Sequence, residues 1–522
     1  MNYKKLAAAV AASALVVGAL LGGAASASAA SGDSYDPQLI PGMTPAQVGV
    51  VINDNMGNDF SIVGVRIPPR VAGTNFGAWH WCQTLDEPEC DFAKATTEIG
   101  GTSVLPNCAD GTSEFCVKGL ELAAPGKEFE PATFERRANS ATLPPSPKYG
   151  YPGGSSPSLF TAPNVPSAGG LTTYAARVSL SLSFDKASNK FVFPSLTAAV
   201  QPYRGIQDPD IPGTNGNSTH GHVCFFVEKG ACGVPQDWVP GTKARLTFRV
   251  PSTIAGWFKG RIQTPNITIT KISDAVNEIS VEAQPVSVPQ LSLVKNQSDL
   301  SSVEANSSNW GGPNGMYIGT TSWADDVATF IDRYREPLHD SATGLTTFWN
   351  LSSMNTGNGS QCLQDSSRVL GIVTTNAMGY DGSSPSFSDG FLNYHVSGLH
   401  FAPDGVTPNE GTYDLVMRSD TARCLYGFTK APISATVSVI TAAGEQKTAV
   451  TTVNEKDGWL SMRAYGFTFS NPVVKVQITQ AKDASSGSSS SAGSSTITCV
   501  KGKLTKKVSG TAPKCPAGYK KK

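Results

Sequence analysis

Along most of the chain, apolar and polar residues alternate in short runs broken by Pro and Gly, the period of half-buried strands rather than of helices. Leu246, Phe248 and Val250 alternate with Thr247 and Arg249, and Val474, Val476 and Ile478 alternate with Lys475 and Gln477. Each run sets one face against a core and the other in water. Similar runs at 60–67, 175–184 and 266–270 predict a β-rich region over 31–290. Its long loops include 143–170, rich in Pro, Gly and Ser, and such loops carry binding function or no regular order.

A less regular segment, 291–383, carries one expected helix. Ser322 and Asp325 form a capping pattern, Trp323, Val327, Phe330, Ile331 and Tyr334 recur at helical spacing, and Pro337 ends the run. Strand-like runs return over 384–481, at 413–417, 435–440, 449–453, 459–463 and 473–478, and about a hundred residues of this kind predict an immunoglobulin-like sandwich. A Ser/Gly linker, 482–496, precedes a distinct tail, 497–522. The expected fold is mainly β: two antiparallel sandwich-like regions with long loops, and one short helix.

The start of the chain breaks the pattern. Lys4 and Lys5 precede an Ala/Val/Leu run over 6–21, and small residues at 24–30 offer A-x-A cleavage sites, so 1–30 reads as a secretory signal peptide. As a membrane anchor the run would span only about 24 Å of a roughly 30 Å hydrocarbon layer. No later run is long enough to cross, so the mature chain is expected to carry no transmembrane segment.

Export changes how the ten cysteines are read, because an oxidising compartment pairs them. Cys82 with Cys90, Cys108 with Cys116, and Cys224 with Cys232 share C-x7-C spacing; Cys362 with Cys424 and Cys499 with Cys515 complete the expected set of staples. A structural zinc site lacks the C-x2-C pair it would use.

Charge adds what the neutral total hides. The tail carries Lys501, Lys503, Lys506, Lys507, Lys514, Lys520, Lys521 and Lys522 with no acid. Apart from these and the two leader lysines, the chain holds 31 bases against 41 acids, about −10. A tethered basic loop is drawn to a polyanionic surface, each lysine contributing about 1 kcal/mol near it at low salt. The expected partner is an anionic cell-wall polymer or envelope surface. Nucleic acid is not expected, since Tyr519 is the tail's one aromatic and single strands are bound by interleaved stacking groups.

The residues 497–503 (ITCVKGK) and 513–522 (PKCPAGYKKK) resemble a short C-terminal element of uncharacterised secreted, cell-surface proteins of actinobacteria. The stretch 422–439 (ARCLYGFTKAPISATVSV), with EKDGWL and GFTFSNPVVKVQIT, resembles a β domain that precedes it there, and AWHWC and CADGTSEFCVKGLEL are similar to N-terminal parts of that group. The resemblance implies a surface or wall-associated protein and carries over no catalytic residue.

Candidate chemistry is sparse. Gly32-Asp33-Ser34 lacks the preceding strand of a hydrolase block, and no G-x-S-x-G, H-E-x-x-H or Walker loop is present. His220 and His222 share a strand face with Cys224, but spacing identifies no third metal ligand, so no metal site is expected. Asp54, Asn55, Asn58 and Asp59, and separately Asp208 and Asp210, form oxygen-rich turns; calcium suits them, but Asx residues form such turns unaided. No cofactor is expected, calcium being the nearest candidate. Asp325, Asp326, Asp332 and Glu336 could pair as glycosidase carboxylates, yet helix capping, the macrodipole and a solvated face explain them. Trp310, Tyr317, Trp323 and Trp349 cluster in sequence, and glycans stack on such rings; core packing competes, above all for Trp323. The expected function is that of an exported, non-enzymatic binding or structural protein retained at the cell wall or surface, its site being the tail lysines. The alternative is an extracellular hydrolase of polysaccharide or peptide.

Overall fold

The computed structural model describes residues 44–522 except 45, 54–59, 71–76, 93–98, 140–141, 208–217, 220–221, 301–314, 320–323, 355–359, 366, 429–432, 441–445, 449, 470–472, 481–494, 503, 511–513 and 517. Strands occupy 57% and helices 8% of the described residues, as the alternation predicts. The chain forms two compact units: a body, Met1–Gly427 with Ala435–Ile478, and a small unit, Phe428–Ser434 with Thr479–Lys522.

One long sheet runs through the body. In spatial order its strands are β3 (Gly77–Trp81), β2 (Ile62–Arg70), β4 (Ile99–Val104), β6 (Thr173–Asp185), β7 (Leu196–Gln207), β13 (Gly344–Met354), β9 (Gly256–Lys271), β14 (Val369–Thr375), β16 (Glu410–Arg418), β19 (Trp459–Thr468) and β18 (Val450–Lys456). Neighbours are antiparallel except β9 and β14. A second layer comprises β5 (Cys116–Ala123), β8 (Lys243–Pro251), β10 (Val276–Gln290) and the far half of β9. The alternation read in β8 holds: Leu246, Phe248 and Val250 are wholly buried. With Leu120 and Leu122 of β5 and Ile279 and Val281 of β10 they meet Val178, Val200, Trp349 and Leu351 of the long sheet. Fully burying each such aliphatic side chain contributes about 1.5–3 kcal/mol.

β9 joins the layers. Its first half pairs with β13 and β14, its second with β10, and the register jumps between Gln263 and Asn266. Thr264, at φ 53°, occupies the left-handed region, unusual for a β-branched residue, and Pro265 follows with no N–H to offer a ladder. β10 also changes partner, passing from β8 and β9 to β13. Among the described residues these exchanges link β9, β10 and β13 without closing a barrel.

A smaller sheet sets β1 (Gln47–Asn53) antiparallel to β11 (Ser292–Asn296) and parallel to β12 (Gly315–Gly319). The expected helix, α1 (Ala324–Arg335), buries Val327, Phe330, Ile331 and Tyr334 against Val50, Ile52, Leu291, Met378 and Leu399. Ser322 and Trp323 lie outside the described residues. A second helix, α2 (Ser419–Tyr426), was not expected: at eight residues it shows too few periods to read, and it ends on Gly427 at φ 65°.

Over 384–481 the strands divide between two sheets. β15 (Phe391–Ser397), β20 (Val473–Gln480) and β17 (Ile433–Ile440) share one; β16, β19 and β18 belong to the long sheet. Because β14 pairs with β16 from Gly371↔Met417 to Thr375↔Tyr413, hydrogen bonds cross the boundary drawn at residue 384. All five expected disulfides are present.

Candidate polyanion-binding module

The lysine-rich tail folds into three strands. Thr496, Ile497, Thr498 and Val500 give the first a β-branched run suited to a pleated surface: β21 (Ser495–Lys501) is central, flanked by β22 (Leu504–Gly510) and β23 (Lys520–Lys521). Ser495 and Thr496, read as linker, begin β21. Gly502, at φ 59°, sits first in the two-residue turn between the paired Lys501 and Leu504, where a tight hairpin needs a left-handed residue.

Register assigns the faces, since directly opposed residues point the same way. Lys506 and Lys521 flank Cys499 on one face; Lys507 opposes Thr498, and Thr505 and Lys520 flank Val500 on the other. Lys522 extends that second row, its N–H bonding the Thr498 carbonyl at 2.8 Å. Cys499 is wholly buried and bonded to Cys515. Of the eight site lysines, Lys501, Lys506, Lys507, Lys514, Lys520, Lys521 and Lys522 are exposed; Lys503 is outside the described residues. The stretch 495–522 holds no Asp, Glu or Arg, so its charged side chains are all positive and are all point-like ammonium groups.

Asp54, Asn55, Asn58, Asp59, Asp208, Asp210, His220, Trp310 and Trp323 lie outside the described residues, as does the leader. Trp349 is a core residue, wholly buried with its indole N–H on the Ala283 carbonyl at 3.1 Å. Asp332 bonds Arg335 at 2.7 Å, and Glu336 is exposed; the side chains of Asp325 and Asp326 lie outside the described residues. The group His80, Glu87 and Cys90 is compact enough to hold a metal ion, but Cys90 is bonded to Cys82 and supplies no thiolate. Burial raises the Glu87 carboxyl, and hydrogen bonds from His80, Thr84 and Gln83 outweigh it, leaving the group below its usual value.

One cluster escaped sequence reading. Asp414 of β16 is wholly buried; its carboxylate accepts from the Tyr465 hydroxyl at 3.0 Å and the Thr264 N–H at 3.3 Å, with Arg463 Nε at 3.3 Å. Burial pushes its pKa up to about 6, against the pull of these partners. It ties the β9 bulge to the far end of the long sheet, and 150 residues separate it from Thr264, beyond any local pattern. A second, His400 with Asp340, is held by Arg335 at 2.6 Å from the same carboxylate, on a turn where His339 and Asp340 have φ 50° and 55°.

No protein-family model matches this chain, and neither a curated protein nor a solved structure matches it.

Proposed function

We propose that this is an exported, non-enzymatic binding or structural protein, retained at an anionic cell-wall polymer or envelope surface by its C-terminal module. One observation carries the reading: every described tail lysine is exposed, on a disulfide-stapled sheet that contains no acid to neutralise it. Such a module binds by charge and lets go in salt. Export through the 1–30 leader is supported by five disulfides, bonds that persist in oxidising compartments. No helix among the described residues is long and apolar enough to cross a membrane. We read 384–481 as an immunoglobulin-like sandwich with one shared sheet, and place the chain with the actinobacterial exported proteins that its tail resembles.

The test compares the full chain with a variant lacking 496–522 on isolated cell wall, at low and high salt. The full chain should bind at low salt and elute at high salt, and the shortened chain should bind more than tenfold less, a loss above about 1.4 kcal/mol. Equal binding of the two sinks the reading.

A further inference from the structure

We propose that the module engages its partner through one face only, and that this face takes a single strand of a linear phosphodiester polymer. This rests on the retention reading above and specifies where and what the module binds.

The two faces are not equivalent. On the Cys499 face, the disulfide carries the chain from β21 to Cys515, and the Lys501 Nζ lies 3.2 Å from where a side chain on Gly518 would begin. Both Cys499 and Lys501 point to this face, so the segment leading into β23 is laid across it; a turn closed by the Tyr519 N–H on the Pro516 carbonyl, 3.0 Å, holds that segment. The disulfide that staples the sheet therefore also covers one side of it.

Among the described residues no segment is laid across the opposite face. Lys507 stands on one edge strand and Lys520 and Lys522 on the other, with Thr498 and Val500 between them. Two interstrand steps separate the lysine rows by about 10 Å, and Lys520 and Lys522 lie about 7 Å apart along their strand. That is a shallow trough with cations on both banks and the Thr498 hydroxyl in its floor, wide enough for one polymer strand and too narrow for a duplex.

The side chains narrow the anion. With no Arg the module offers no planar fork for bidentate capture of carboxylate or phosphate; its Lys groups act as point charges, which suits the single charge that a phosphodiester spreads over two oxygens and presents in many directions. The one aromatic, Tyr519, lies outside the three strands, so nucleobases would find no stacking platform on the face. A polyol-linked phosphodiester chain of the envelope meets these conditions.

The experiment uses two full-length, disulfide-bonded variants with equal charge loss: Lys507→Gln/Lys520→Gln/Lys522→Gln on the open face, and Lys506→Gln/Lys514→Gln/Lys521→Gln off it. Each is bound to walls before and after extraction of their phosphodiester polymer, and competed with poly(glycerol phosphate) or polyglutamate. The open-face variant should bind at least tenfold more weakly and the other within twofold of the parent. Extraction should abolish parental binding, and poly(glycerol phosphate) should compete at least tenfold better than polyglutamate. Equal losses in both variants overturn the single face while leaving retention intact, and equal competition or unchanged binding to extracted walls overturns the ligand class. If removing 496–522 has no effect either, the retention reading itself fails.

Discussion

The body and the C-terminal module both keep strands paired in water, by opposite means. The body buries large side chains such as Trp238, Trp257 and Trp349 and pairs its surface charges: Arg245 lies between Glu121 at 3.1 Å and Glu282 at 2.9 Å, and Lys118 and Arg249 share Glu278 at 2.8 and 3.1 Å. The module has three short strands, one covalent staple and charges of a single sign. So small a sheet buries too little to hold by packing alone, and the disulfide substitutes for a core. In the body these acids and bases pair across strands; in the module the charged side chains are all of one sign.

The largest effect that sharpens this contrast is expected from Trp257→Ala. Trp257 is wholly buried, packs on Gly371, and bonds the Leu363 carbonyl at 3.3 Å. Its truncation should cost the body about 3–5 kcal/mol in urea unfolding, with amide protection in 495–510 unchanged. Protection lost in both regions would mean that the two share one cooperative fold.

Removing the staple by Cys499→Ser with Cys515→Ser should give the converse. A 16-residue separation corresponds to about 3 kcal/mol of loop-closure stabilisation, more than the module is expected to spare. Amide protection in β21 and β22 should vanish while the body's unfolding midpoint stays. A protected module without its disulfide breaks the comparison.

A third test concerns Asp414, a body carboxyl wholly buried among its hydrogen-bond partners. In the fold it holds its proton up to about pH 6, against an ordinary value of 3.8. The folded state therefore binds the extra proton, and the stability this adds is complete below pH 3.8 and lost as pH rises through 6. The swing is of order 2–3 kcal/mol. Glu278 behaves oppositely: burial raises its carboxyl, Lys118 and Arg249 more than offset this, and its contribution is lost only as pH falls below its ordinary 4.5. Urea midpoints between pH 4.5 and 7.5 should fall with rising pH in the parent and flatten in Asp414→Asn; parallel profiles would exclude Asp414 as the cause.

The smallest effect is expected from Lys118→Ala. This half-exposed pair partner should cost under about 1 kcal/mol and less in salt, with wall binding unchanged. A change in wall binding would show that body charges also reach the partner.

Three cysteine pairs were legible because each closes the same short C-x7-C loop, and β8 because one alternating run has one buried face. α1 announced itself through an apolar stripe of several turns. α2 did not, because eight residues tied by Cys424 to Cys362 owe their helix to the surrounding packing. The tail lysines could be named from sequence, but not sorted: which ones share a face with Cys499 follows from the register set at Gly502, and which face is covered follows from where the segment before β23 returns.

The sequence by itself determined the strand period, the short-loop disulfides and the position of the positive charge, since each depends on residues near in the chain or on composition. Only the tertiary structure decided that β9 turns from one layer to the other at Thr264, that Asp414 reaches it across 150 residues, and that the segment before β23 returns on the Cys499 face of the lysine sheet. Those outcomes depend on which distant strands meet and in what register, and a local pattern of apolar and polar residues does not encode that choice.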